Sequence, residues 1–189
     1  TALSSNQPKI LNLLKDSLPH LYLESFKIAA EVVHHNDAEL QTLLKQPLDK
    51  SSLILALYVS IRCCNFIGLL KLLKHLSVED LNRPCLFDPE KFTPIHFAAY
   101  LSNVGACFIL LRKGVNLTAL DAHGRTPFML VTGSHNATRD AFIRYASTDL
   151  LNSIGKTDTA QKIELLLSKC GADPNITSSV NDQSALEIA

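Results

Sequence analysis

Gly155-Lys156-Thr157 matches the tail of a phosphate-binding loop. Such a loop needs a second glycine five residues before Gly155, so that bare backbone amides can cradle phosphate oxygens. That position holds Leu150, and no buried strand precedes it. His34-His35 is the next candidate, for a metal ion. Neighbouring residues on a helix point about 100° apart, so two adjacent imidazoles do not converge on one ion. The other histidines lack ligand spacing with Cys, Asp or Glu. Ser134-His135 is a sequence neighbour pair with no identifiable acid and no oxyanion loop. His96 stands three residues after Thr93, where an imidazole caps a helix rather than catalyses. Glu79-Asp80 and Asp88 with Glu90 read as solvated loop charges. No catalytic, cofactor-binding or metal-binding set emerges, and the span is read as non-enzymatic.

The elements that carry these residues repeat. Asp88-Pro89-Glu90-Lys91-Phe92-Thr93-Pro94-Ile95-His96-Phe97-Ala98-Ala99 recurs one period later as Asp121-Ala122-His123-Gly124-Arg125-Thr126-Pro127-Phe128-Met129-Leu130-Val131. Self-similarity at a short fixed period marks stacked units, none of which can bury its apolar face alone. Each Thr-Pro reads as a helix start, with a hydroxyl to cap free amides and a proline that has no N–H to lose. The run Cys107-Phe108-Ile109-Leu110-Leu111-Arg112-Lys113-Gly114 then predicts a buried helix with cations in its last turn and a left-handed glycine after it. Ile163 to Gly171 repeats that run with one extra residue, and Ser184 with Glu187 has capping-box spacing.

These residues resemble the ankyrin repeat, with Thr93-Pro94-Ile95-His96-Phe97-Ala98-Ala99 as the best copy and Gly171-Ala172-Asp173-Pro174-Asn175 as the turn that leaves a helix pair. The resemblance implies an all-α ankyrin-repeat solenoid of helix-turn-helix units with hairpin-like loops, four to five units in all. Residues 1–26 read as a helical N-terminal cap, with Pro19 interrupting it, and 27–189 as repeats. Within the repeats, 27–48 and 49–87 are degenerate, 88–120 is the best match, 121–178 carries an insertion at about 133–157, and 179–189 is truncated. Ser51-Ser52-Leu53 stands where Thr-Pro would be, with Asn65 to Leu73 as the matching second helix.

Two spacings depart from the period that separates Asp88 from Asp121. The stretch from Ser51 to Thr93 is longer, an excess divided between a longer first helix through Tyr58 to Cys64 and the connection around Ser77 to Pro84. The stretch from Thr126 to Ser184 is longer still. Phe142, Tyr145, Ala146, Leu150, Leu151 and Ile154 predict an extra amphipathic helix there, which either packs on the flank of the repeats or forms a partner-contacting lobe. Asp158 and Gln161 read as the capping box of the resumed second helix.

The resemblance also implies a protein-binding module that meets its partner at hairpin tips and along the row of first helices. Carried onto this chain, those positions are Pro89, Glu90 and Phe92, then Tyr100 and Leu101, then Ala122, His123 and Arg125. Phe92 and Tyr100 have a second reading, packing between adjacent hairpins. The irregular units and large insertion resemble ankyrin proteins that intracellular bacteria deliver into host cells. An alternative is the non-catalytic targeting region of a larger enzyme, and another is a spacer.

Composition fits a protein partner. With 18 basic and 18 acidic residues the chain lacks the basic excess of a nucleic-acid footprint. No apolar run approaches the roughly 18 residues of a membrane span. Five cysteines form no C-x-x-C pair, and Cys107 and Cys170 lie in or beside apolar helices, which suggests buried free thiols in a reducing, cytoplasmic compartment, or the host cytosol for a translocated protein. A monomer with no cofactor is expected. The chain stops at Ala189 inside the first helix of a new repeat, so it reads as a piece of a longer protein.

Overall fold

A computed structural model describes residues 23–46, 48–84, 88–131, 137–154, 156, 159–177 and 184–185. Most of the expected cap over 1–26, Ser134-His135, Cys85, Asp158 and most of the truncated repeat lie outside these residues. The described residues are helical and contain no strand, only an isolated antiparallel bridge between Thr177 and Ser184. They fall into two compact units, Thr1–Leu81 and Asn82–Ala189.

In the first unit α1 (Leu23–Val33) and α2 (Asp37–Leu43) form one helix pair, and α3 (Lys50–Arg62) and α4 (Phe66–Leu72) form the next. A short α5 (Val78–Leu81) follows. First helix packs on first helix and second on second, α1 against α3 and α2 against α4. Ile28, Val32, Leu40, Leu57, Ile61, Leu69 and Leu72 fill the space between them, each essentially inaccessible. Burying a side chain of that size stabilises by about 1.5–3 kcal/mol, which offsets weak helix propensity in units this short.

The cap of α3 lies two residues upstream of the expected Ser51. Asp49 is the N-cap, accepting from the N–H groups of Ser51 and Ser52 at 2.8 and 3.1 Å, while the Ser52 hydroxyl donates to its other oxygen. A carboxylate accepts more amide bonds than a hydroxyl and suits the positive end of the helix. Burial works against its ionisation, yet the bonds from Ser52 and Ser51 outweigh it and hold the Asp49 carboxyl below its usual range. The 13-residue α3, against seven for its counterpart in the best copy, absorbs the extra sequence length together with α5.

Asp80 is not a solvated loop charge. It is 8% exposed, accepts from the Ser77 N–H and hydroxyl at 3.0 Å, and pairs with Lys50 at 2.9 Å. Those bonds, the Ser77 backbone N–H first, bring its carboxyl down to about 2.

In the second unit α6 (Pro94–Tyr100) and α7 (Val104–Arg112) form the best helix pair. Ala98, Ala99 and Ala106 are fully buried between them, where small side chains allow close approach. Gly114 and Gly171 close the second helices at φ +77° and +70°, a conformation that costs a side-chain-bearing residue. At the next copy the expected first helix is only a 3-10 turn, Pro127–Leu130. There the third helical position is Met129 instead of His96, and a thioether does not accept the capping amides. The Thr126 hydroxyl donates instead to the Lys169 carbonyl at 2.6 Å.

The insertion is α8 (Ala137–Ser153), which packs against α7 and against α9 (Ala160–Lys169). Ala141, Phe142, Ala146 and Leu150 face inward, and Phe142 meets Phe128 edge-on with ring centres 6.5 Å apart. Ser147 accepts from the Asp173 N–H at 2.7 Å and so ties the helix to the following turn. The N-cap of α9 is Thr159 rather than Asp158, and its hydroxyl donates back to the carbonyls of Ser153 and Lys156, both at 2.9 Å.

Candidate functional site

Two aspartates shape the hairpin tips of the second unit. Asp88 accepts from the N–H groups of Glu90 and Phe92 at 3.0 and 3.2 Å, and Asp121 from those of His123 and Arg125 at 2.8 and 2.9 Å. A short carboxylate that bonds its own chain two and four residues on folds the tip tightly. Asp88 therefore builds the turn instead of lying free in solvent. Burial raises the Asp121 carboxyl, but the Arg125 N–H and guanidinium and the His123 N–H overcome this and bring it below its usual range.

The two tips are joined. The Ala122 N–H donates to the Glu90 carbonyl at 2.8 Å. The Glu90 carboxylate lies 2.9 Å from the Arg125 guanidinium and 3.0 Å from His123 Nε2, and Arg125 also reaches Asp121 at 2.7 Å. These side chains are 36–59% exposed apart from Asp121, so water screens the Glu90 pairs and their role is to fix orientation.

Beneath the ion pairs lies an aromatic stack. Phe92 is 5% exposed, near-parallel to His96 at 5.9 Å, tilted against Tyr100 at 5.7 Å, and 5.9 Å from the Arg125 guanidinium carbon. Its ring is committed to packing. Tyr100, at the end of α6, keeps 60% of its surface in water.

His96 underlies the whole arrangement. Its Nδ1 accepts from the Thr93 N–H at 3.3 Å and lies 2.7 Å from the Thr93 hydroxyl, so the ring proton sits on Nε2, which donates to the Arg125 carbonyl at 3.1 Å. One imidazole thus caps its own helix and fastens the next hairpin. Burial first of all keeps it below the usual histidine range, partly offset by the Arg125 carbonyl.

The structure thus brings Glu90, Phe92, Tyr100, His123 and Arg125 into one ribbon. Pro89 and Ala122 are exposed at the tips, and Leu101 is half-buried behind Tyr100. Sequence reasoning missed the asparagines. Asn36, Asn65 and Asn103 each open a second helix by accepting an amide three residues on, and each follows a residue at φ between +51° and +55°. Those preceding residues are His35, Cys64 and Ser102, so His34-His35 is the helix-joining turn of its unit. Asn65 also donates across to the Val32 carbonyl at 2.9 Å. A recurring x-Asn before an apolar run was the available signal.

Among the described residues no three His, Cys, Asp or Glu side chains gather as a metal site, and no helix is long and apolar enough to cross a membrane. Burial pushes the Cys107 and Cys170 thiols up to about 12 and about 11. No curated protein matches the chain. Residues 90–122, the span from the first joined tip to the second, match the family model of the ankyrin repeat, so the chain contains an ankyrin repeat there.

Proposed function

We propose that the ribbon of tips and α6 is a recognition surface for a partner protein. The ankyrin repeat points to protein–protein interaction, and one observation supports this surface in particular. Tyr100 exposes most of its ring while its inner face is held by Phe92, so an aromatic anchor is presented with little freedom left to lose. Preorganised aromatic residues contribute most where interfaces are tight. His123, Pro89 and Ala122 supply the rim, Glu90 and Arg125 set its register, and Leu101 backs the anchor. Phe92 acts from below, by supporting Tyr100. The balanced charge, the buried free thiols of Cys107 and Cys170 and the irregular, helix-inserted array support a monomer working in a reducing cytosol, that of a host cell if the protein is a delivered effector.

The test compares the parent chain with a Tyr100→Ala/His123→Ala double variant whose melting temperature matches. A partner captured by the parent is purified, and its affinity for both proteins is measured by calorimetry. A loss of about tenfold or more in affinity, about 1.4 kcal/mol, supports the reading. Equal affinities refute this surface.

A further inference from the structure

The insertion leaves a cleft in the second unit. Helix α8 does not close flush on the end of α7 and its following loop, and the space between them has a volume of about 520 Å³. That lies within the range of about 300–1,000 Å³ usual for ligand sites. Its floor is apolar, from Leu111, Val115 and Leu117, all nearly inaccessible.

The polar groups around this floor are unbalanced. Several acceptors are used by the fold, while the Asn152 and Tyr145 oxygens and the second Asp149 oxygen keep acceptor capacity. The Asn82 side-chain oxygen takes the Asn116 N–H at 2.8 Å, and the Asn116 oxygen takes the Thr118 N–H and hydroxyl at 2.9 and 2.8 Å. The Asp149 carboxylate takes the Lys162 ammonium at 2.6 Å. The donors are left over: the amide NH2 ends of Asn82 and Asn116, the remaining Lys162 protons, and Arg112, which has no carboxylate within ion-pair distance among the described residues. A site whose free donors, two of them cationic, outnumber its free acceptors suits an acceptor-rich, anionic ligand.

From this donor excess over an apolar floor, we propose that the cleft binds an extended peptide segment of a partner protein that alternates acidic and apolar residues. Carboxylates and backbone carbonyls of the segment meet Arg112, Lys162 and the two asparagine amides, and its apolar side chains meet the Leu111–Val115–Leu117 floor. The site is separate from the tip ribbon and does not depend on it.

The test uses the whole chain and two fluorescein-labelled peptides, a Glu-Leu-Glu-Leu-Glu amide and its Gln-Leu-Gln-Leu-Gln counterpart, read by fluorescence anisotropy. The acidic peptide should bind at least about tenfold more tightly and weaken as salt rises. Asn116→Asp and Asn82→Asp keep the oxygen each residue uses in the fold and replace only the spare donor. Either variant, and Arg112→Glu, should weaken the acidic peptide about tenfold with the melting temperature unchanged for the two aspartate variants. Tyr100→Ala should leave the affinity as it was. Equal binding of the two peptides, or indifference to Asn116→Asp and Asn82→Asp, overturns the proposal. Full displacement of the acidic peptide by inorganic triphosphate at equal concentration overturns it in favour of a small-anion site.

Discussion

His96 and Met129 occupy the same place in successive copies of the repeat, yet one is fully buried and the other 52% exposed. Truncating each to alanine therefore separates what the position does from what the residue does. His96→Ala leaves the Thr93 N–H and the Arg125 carbonyl without their imidazole partner, bonds of 3.3 and 3.1 Å. An orphaned buried polar group costs about 1–3 kcal/mol, and loss of a helix cap alone about 1 kcal/mol. The change also empties the space of a buried ring that supports Phe92, and comparable aromatic truncations cost about 3–5 kcal/mol. These contributions overlap, so the expected loss is about 3–5 kcal/mol. Met129→Ala removes a half-solvated chain with no capping role and should cost under about 1 kcal/mol. Urea unfolding followed by circular dichroism, with equal m-values as the check on two-state behaviour, measures both. A His96→Ala loss below about 1 kcal/mol, or equal losses at the two positions, would refute the capping-and-fastening account.

The same histidine sets a pH dependence. Its folded pKa lies below the unfolded value near 6.5, so the unfolded chain binds the extra proton more readily. Its contribution is present above 6.5 and is lost as pH falls from there through the folded pKa; a pH series of urea midpoints should show this decline, and His96→Gln should flatten it. Gly171→Ala meets both a left-handed backbone and a Cβ only 2.5 Å from the Phe128 ring, whereas at Gly114 nothing lies within 4 Å. Thermal melts should show Gly114→Ala costing about 1–2 kcal/mol and Gly171→Ala clearly more. Asn65→Ala removes a buried cap and the bond to the Val32 carbonyl and should cost about 2–3 kcal/mol. At exposed Asn36 the cap bond is a long 3.4 Å, and the loss should stay under about 1 kcal/mol. Similar losses at the two asparagines in chemical denaturation would contradict the cross-unit role of Asn65.

The parts of this fold legible in the sequence are those where one residue type has one physical use. Thr93-Pro94 marked α6, Gly114 and Gly171 marked the ends of α7 and α9, and the apolar periodicity from Phe142 to Ile154 marked α8. The asparagines were harder to see because helix length varies between units, so Asn65 and Asn103 do not fall at a constant spacing. At the 3-10 turn Pro127–Leu130 the capping position holds Met129 where the best copy has His96, a difference that apolar patterning passes over. At the tips, sequence reasoning treated each side chain separately. The fold couples them, because Asp88 and Asp121 curl the chain tightly enough to pull Phe92 inward and set Glu90 against Arg125.

The bond from His96 to the Arg125 carbonyl also bears on the order in which the protein comes apart. In an array where each unit touches only its neighbours, cooperativity is the sum of nearest-neighbour couplings. A coupling made by a buried imidazole is all-or-none, since the ring either reaches across the seam or releases both its own helix and the adjoining hairpin. That seam should open late and as a block, with the amides of 93–99 and 121–126 exchanging together with solvent. Past position 129, where a methionine has no ring proton to offer, the array must rely on other couplings, and fraying has its natural starting point there.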